Sequence, residues 1–94
     1  VKAEPIVDVV FTDHARFEMG RRGLSEDVVR GVLSAPGQRW SVRPGREVVQ
    51  SQVSMGEAGR PYVVRVFVDI DRTPCEVVTA YRTSRIAKYW RPEP

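Results

Sequence analysis

Three β-rich runs in the second half of the chain leave it few ways to fold. Arg46–Met55, Tyr62–Ile70 and Glu76–Arg82 are dense in valine, threonine and aromatic residues, which suit a pleated, half-buried surface. The segments between them, Gly56–Pro61 and Asp71–Cys75, are too short to carry a crossover and predict antiparallel hairpins. Three strands joined in this way form a meander whose apolar face must be covered. The cover has to come from the first half of the chain.

That half reads as one short strand and two helices. Ile6–Phe11 is β-branched and brief. Thr12 and Asp13 are both good N-caps for a helix running to about Arg22, and Gly23 supplies a left-handed residue just past its end. Leu24 then falls where a Schellman motif places it against Met19. Ser25 caps a second helix, with Glu26 and Asp27 in its electropositive first turn and Val28, Val29, Val32 and Leu33 along one stripe. Pro36-Gly37 stops it. Gln38–Val42 suits a short strand, Pro44-Gly45 a turn, and Thr83 or Ser84 caps a last helical turn carrying Ile86, Lys88, Tyr89 and Trp90. The expected fold is α+β in the order β-α-α-β-β-β(-β), with two N-terminal helices packed on one face of a twisted antiparallel sheet.

Ninety-four residues, 41% of them hydrophobic, are enough for one core, so a single domain is expected over 1–94 with an ordered core of about 5–91. Fifteen Lys and Arg against twelve Asp and Glu give a net charge of +3, which suits a polyanionic partner without requiring one. The single cysteine, Cys75, has no disulfide partner and lacks zinc-site spacing, which fits a reducing, cytoplasmic setting. No apolar run reaches the roughly 18 residues of a membrane span.

Alternation assigns the two sheet faces. Tyr62, Val64, Val66, Val68 and Ile70 point one way; Val63, Arg65, Phe67 and Asp69 point the other. Pairing Ile70 with Glu76 sets Val68 opposite Val78 and Val66 opposite Ala80 on the core face, under Val28, Val32 and Leu33. The opposite, helix-free face then carries Arg65 opposite Tyr81, Phe67 opposite Thr79, and Gln50 and Gln52. Such a face is either a platform for single-stranded RNA, where rings stack bases and Arg grips phosphate, or an ordinary half-solvated sheet surface. His14, the one side chain that ordinarily titrates near neutrality, starts the first helix, with Glu18 and Arg21 following at helical spacing. It reads either as a general acid or base oriented by Glu18, with Arg21 or Arg22 on phosphate, or as a surface histidine in a row of ion pairs. Trp40 and Trp90 read as packing residues, and Tyr89 with Trp90 is expected to pin the last turn to the domain.

The segments Phe11-Thr12-Asp13-His14-Ala15-Arg16 and Arg22-Gly23-Leu24-Ser25-Glu26-Asp27-Val28 resemble a bacterial domain-of-unknown-function family that opens with a His-Ala helix and an Arg-Gly-Ile/Leu-Ser junction. Arg43-Pro44-Gly45-Arg46, Tyr62–Asp69, Val78-Thr79-Ala80-Tyr81 and Lys88-Tyr89-Trp90 continue the likeness in order along almost the whole chain. That family is grouped with RelE/BrnT-like toxins, small basic folds with two helices on an antiparallel sheet. The resemblance implies cleavage of mRNA, often on the ribosome, without metal or cofactor, and neutralisation by an antitoxin. It implies His14 as base, Tyr81 as acid, and Arg65 and Arg82 as cations; the residues themselves offer Arg21, Arg22, Gln50, Gln52, Phe67 and Lys88 as the expected RNA contacts. The sequence lacks the dense lysine and arginine cluster of the most active RelE enzymes. A module that binds RNA or protein without cleaving, or a homodimer joined through a strand edge, are the rival expectations.

Overall fold

In the computed structural model, which describes residues 3–92, the meander forms as three long strands: β3 (Arg46–Met55), β4 (Arg60–Asp69) and β5 (Cys75–Thr83). Before them come β1 (Val9–Phe11), α1 (Asp13–Arg21), α2 (Glu26–Ser34) and β2 (Gln38–Arg43), and a short α3 (Ile86–Tyr89) follows. The five strands make one sheet in the order β1-β5-β4-β3-β2. Residues 1–2 and 93–94 of the expected domain lie outside the described residues. Among those described, no helix is long and apolar enough to cross a membrane.

The local punctuation behaves as its chemistry dictates. Thr12 Oγ1 accepts from the Ala15 N–H at 3.0 Å and Ser25 Oγ from the Val28 N–H at 3.2 Å, each meeting a donor that the first helical turn leaves unpaired. At the end of α1 the Leu24 N–H donates to Met19 O at 2.8 Å and the Gly23 N–H to Gly20 O at 3.3 Å, with Gly23 at φ +70°. That is the complete Schellman pattern, and it folds Leu24 back into the core beside Met19. Val29, Val32 and Leu33 of α2 are buried against Val49, Val64, Val66 and Val68, and each such side chain contributes about 1.5–3 kcal/mol relative to exposure.

Three expectations need correction. The sheet is mixed rather than antiparallel, because β1 pairs with β5 in parallel, Val9 with Cys75 through Phe11 with Val77. The β2–β3 hairpin takes one sheet edge, so β5 offers the other. A parallel β1 also delivers the chain to the still-open half of that edge, where α1 packs against β5. Second, Val78 does not sit opposite Val68 in the core. A β-bulge pairs Phe67 with Thr79 but Val68 with Val77, leaving Val78 as the extra residue. Val77 is therefore the fully buried residue, alongside Val9 and Phe11. Third, the face opposite α1 and α2 is not helix-free: α3 packs against β4 there.

Beyond the bulge the expected register holds, with Arg65 opposite Tyr81, Val66 opposite Ala80, and Gln50 opposite Arg65. The same face carries Gln38 and Trp40 from β2, Arg46 and Val48 from β3, and Val63 and Asp69 from β4. It is a second, smaller packed layer.

Candidate functional site

Arg65 is the centre of this second face. Its Nε donates to Gln50 Oε1 at 2.9 Å and its Nη1 to the Tyr81 hydroxyl at 2.6 Å. Both acceptors sit on neighbouring strands directly across from it, so the antiparallel register itself sets the geometry. The guanidinium carbon lies 4.7 Å from the Tyr89 ring centroid and 5.5 Å from that of Phe67, within cation–π range. Tyr81 stacks on Phe67 at 6.2 Å and meets Tyr89 edge-on at 6.3 Å.

The row continues to both sides. Toward β2, Gln50 is fully buried and its Nε2 donates to Gln38 Oε1 at 2.7 Å and to Tyr89 O at 3.0 Å. A carboxamide buried so completely demands partners for both its ends, and it has them. Toward α1, Arg22 reaches over the sheet edge, its Nη1 donating to Ala80 O at 3.1 Å while its guanidinium carbon lies 5.9 Å from the Tyr81 ring centroid. Beyond the short β1 this carbonyl has no strand neighbour on that side, and Arg22 satisfies it. The Tyr81 ring thus lies between two guanidiniums, Arg65 on β4 and Arg22 at the end of α1.

Arg22 is held by Glu18, whose Oε2 lies 3.1 Å from Arg22 Nη2 and 2.9 Å from Arg21 Nη2. The hydrogen bond from Arg21, with the charges of Arg21, Arg22 and His14, keeps the Glu18 carboxyl below its ordinary range, against a smaller opposing desolvation effect. His14, Glu18 and Arg22 follow at four-residue spacing, so they line one side of α1 that ends at Tyr81. A second ion pair closes the far end of the face, where Asp69 accepts from Arg46 Nε at 2.6 Å and from Nη2 at 3.2 Å. The Arg46 hydrogen bond lowers the Asp69 titration and raises that of Arg46, each outweighing the cost of burial.

The sequence-derived candidates therefore separate into groups. Arg65, Tyr81, Phe67, Gln50 and Arg22 meet in one contiguous row. His14 is exposed two turns before Arg22, and Arg21 is exposed on its Glu18 pair. Gln52 is exposed on β3 opposite Val63, at the open end of the same face. Lys88 is exposed on α3, with its Nζ 5.3 Å from the Tyr89 ring centroid. Arg82 is not part of the row. It pairs with Val64 on the helix-bearing face, over the Tyr62 ring at 4.9 Å and beside Met55 Sδ at 3.8 Å. The sheet stands between Arg82 and Arg65.

Two participants escaped the sequence reading. Gln38 lies directly across from Gln50, a pairing implied by closing the hairpin at Pro44-Gly45. Tyr89 was assigned to packing, and it packs on Arg65 itself. Among the described residues no three of His, Cys, Asp and Glu gather in a set that could hold a metal ion. Comparison of the chain with protein families, with curated proteins and with solved structures finds no match.

Proposed function

We propose that this chain is a toxin-type endoribonuclease, working in the cytoplasm on single-stranded RNA, ribosome-bound mRNA included, without metal or cofactor and under the control of an antitoxin protein. The observation that carries this reading is the Tyr81 hydroxyl, which accepts from Arg65 at 2.6 Å while Arg22 stands on the other side of the ring. Because Arg65 donates into a lone pair of that oxygen, the phenol keeps its own proton to give away.

RNA cleavage by its own 2′-hydroxyl needs three things: a base for the 2′-OH proton, positive charge around the pentacoordinate phosphorus, and an acid for the departing 5′-oxygen. His14 takes the first role, with the Glu18 carboxylate one helical turn away. Arg22 and Arg65 supply the charge, and Tyr81 protonates the leaving oxygen. The products are a 2′,3′-cyclic phosphate and a free 5′-hydroxyl. Phe67 offers a ring beside the scissile phosphate for a flanking base.

One observation favours a second reading, a module that binds RNA without cleaving it. Arg65 spends two donors inside the sheet, and its partner Gln50 is wholly buried, as befits a structural arginine. One experiment separates the two. The purified chain is incubated with end-labelled single-stranded RNA and with translating ribosomes, with chelator present, and its induced expression is followed by growth. The nuclease reading expects cyclic-phosphate fragments that vanish in His14→Ala, and slowed growth. RNA left intact in both settings, with growth unaffected, refutes it. Salt-sensitive binding that survives His14→Ala without fragments establishes the second reading.

A further inference from the structure

The residues after β5 lie across the Arg65 row as a strap, held by three side-chain hydrogen bonds and two aromatic contacts. Gln38 uses both ends of one carboxamide on the strap backbone: its Nε2 donates to Arg91 O at 2.7 Å and its Oε1 accepts from the Arg91 N–H at 3.1 Å. Gln50 Nε2 adds a bond to Tyr89 O at 3.0 Å. Trp90 lies against Gly37, where a Cβ would come within 2.6 Å of the indole, and the Arg91 guanidinium lies 3.7 Å from the Trp40 ring centroid. Yet no residue of α3 is itself fully buried, and its N-terminus has no side-chain cap.

We propose that this strap is a reversible cover that opens without unfolding the sheet, and that the groove it vacates, floored by Gln50, Arg65 and Tyr81, takes up an extended single strand of RNA. The choice of RNA rests on the functional reading above; the opening does not.

Three observations carry it. Lifting the strap does not strand the buried polar groups, because Gln50 keeps Gln38 through Nε2 and Arg65 through Oε1. The strap brings Lys88 and Arg91 to a face that already holds Arg65, and neutral carboxamides do the holding. With the strap lifted, a polyanion can meet Arg65 on the floor and Lys88 and Arg91 on the strap. Finally, each strap group has a counterpart in a nucleic-acid strand. The Tyr89 ring over Arg65 and the Arg91 plane over Trp40 occupy stacking positions that bases can fill.

The test uses the full chain and its Gln38→Ala variant, with amide hydrogen exchange read residue by residue. Opening of the strap predicts that the Trp90 and Arg91 amides exchange at least about tenfold faster than the Val64 and Val66 amides of β4. Removing both Gln38 bonds should speed the strap amides by about a further tenfold while β4 stays as protected as before. A single-stranded oligoribonucleotide should then bind Gln38→Ala more tightly by up to that same factor, since affinity scales with the open fraction. Trp90→Ala should act in the same direction. Strap amides as protected as those of β4 overturn the proposal, as does RNA affinity identical in wild type and Gln38→Ala once the strap is seen to open. Local opening with no RNA binding by either protein upholds the cover and overturns the RNA reading instead.

Discussion

Replacing Tyr81 with phenylalanine removes one oxygen and keeps the ring, and it asks the Arg65 row what that oxygen does. The stacking on Phe67 at 6.2 Å and the edge contact with Tyr89 at 6.3 Å survive, since both involve the ring alone. Arg65 keeps its bond to Gln50 at 2.9 Å and its place over Tyr89 at 4.7 Å. What goes is the 2.6 Å bond from Arg65 Nη1. A charge-assisted bond lost in a sealed core costs about 1.5–3 kcal/mol, but Arg65 and Tyr81 are both only half-buried and water replaces part of it. The expected loss is therefore about 1 kcal/mol, which in a domain of this size lowers the melting temperature by about 4–8 °C. Cleavage should respond on another scale, because losing the general acid costs about 10²–10⁴-fold in rate while RNA affinity stays nearly constant. Thermal melts and single-turnover cleavage with labelled RNA, run side by side, read both. An unchanged melting temperature would refute the energetic argument. Cleavage at the wild-type rate would refute Tyr81 as the acid.

Further outcomes follow from the packing and the ion pairs. Leu33→Ala, at a fully buried site of α2, should cost about 2–5 kcal/mol in urea denaturation. Gly23→Ala forces a Cβ into φ +70° at the α1 Schellman turn and should cost about 1 kcal/mol, visible as an earlier melt with native circular dichroism. Asp69, held below its ordinary titration range by Arg46, contributes stability that is fully present above about pH 4 and is lost as the pH falls through its depressed folded value. Asp69→Asn should therefore destabilise by about 1–2 kcal/mol at pH 7, and the gap to wild type should close in denaturation curves taken on the acid side.

Much of the architecture was legible along the chain because its causes are local. Thr12, Ser25 and Gly23 act on backbone groups three to five residues away, so the helix ends could be read from neighbours in sequence. Period-two alternation put Arg65, Phe67, Gln50 and Tyr81 on one face, and the structure places them there. The same alternation puts Arg82 on the other face, opposite Val64 and away from the Tyr81 with which the resemblance groups it. The bulge at Val78 was hidden because one extra residue in a strand leaves no compositional mark, yet it reverses the facing of everything before it.

What the sequence determined by itself was the kit: three long strands in a meander, two capped helices, and a polar row of Gln, Arg and Tyr at alternating positions. What only the tertiary structure decided was how distant pieces met. The direction of β1 depended on which sheet edge was left open, and the docking of Arg22 on Ala80 O followed from that direction. The strap over Arg65 joins residues some fifty positions apart, Gln38 with Arg91, through the backbone of one and the carboxamide of the other. A backbone atom has no residue identity, so no pattern of side chains along the chain announces that contact. It exists because the pairing of β2 with β3 and the turn after β5 bring the Gln38 carboxamide and the Arg91 peptide to the same place.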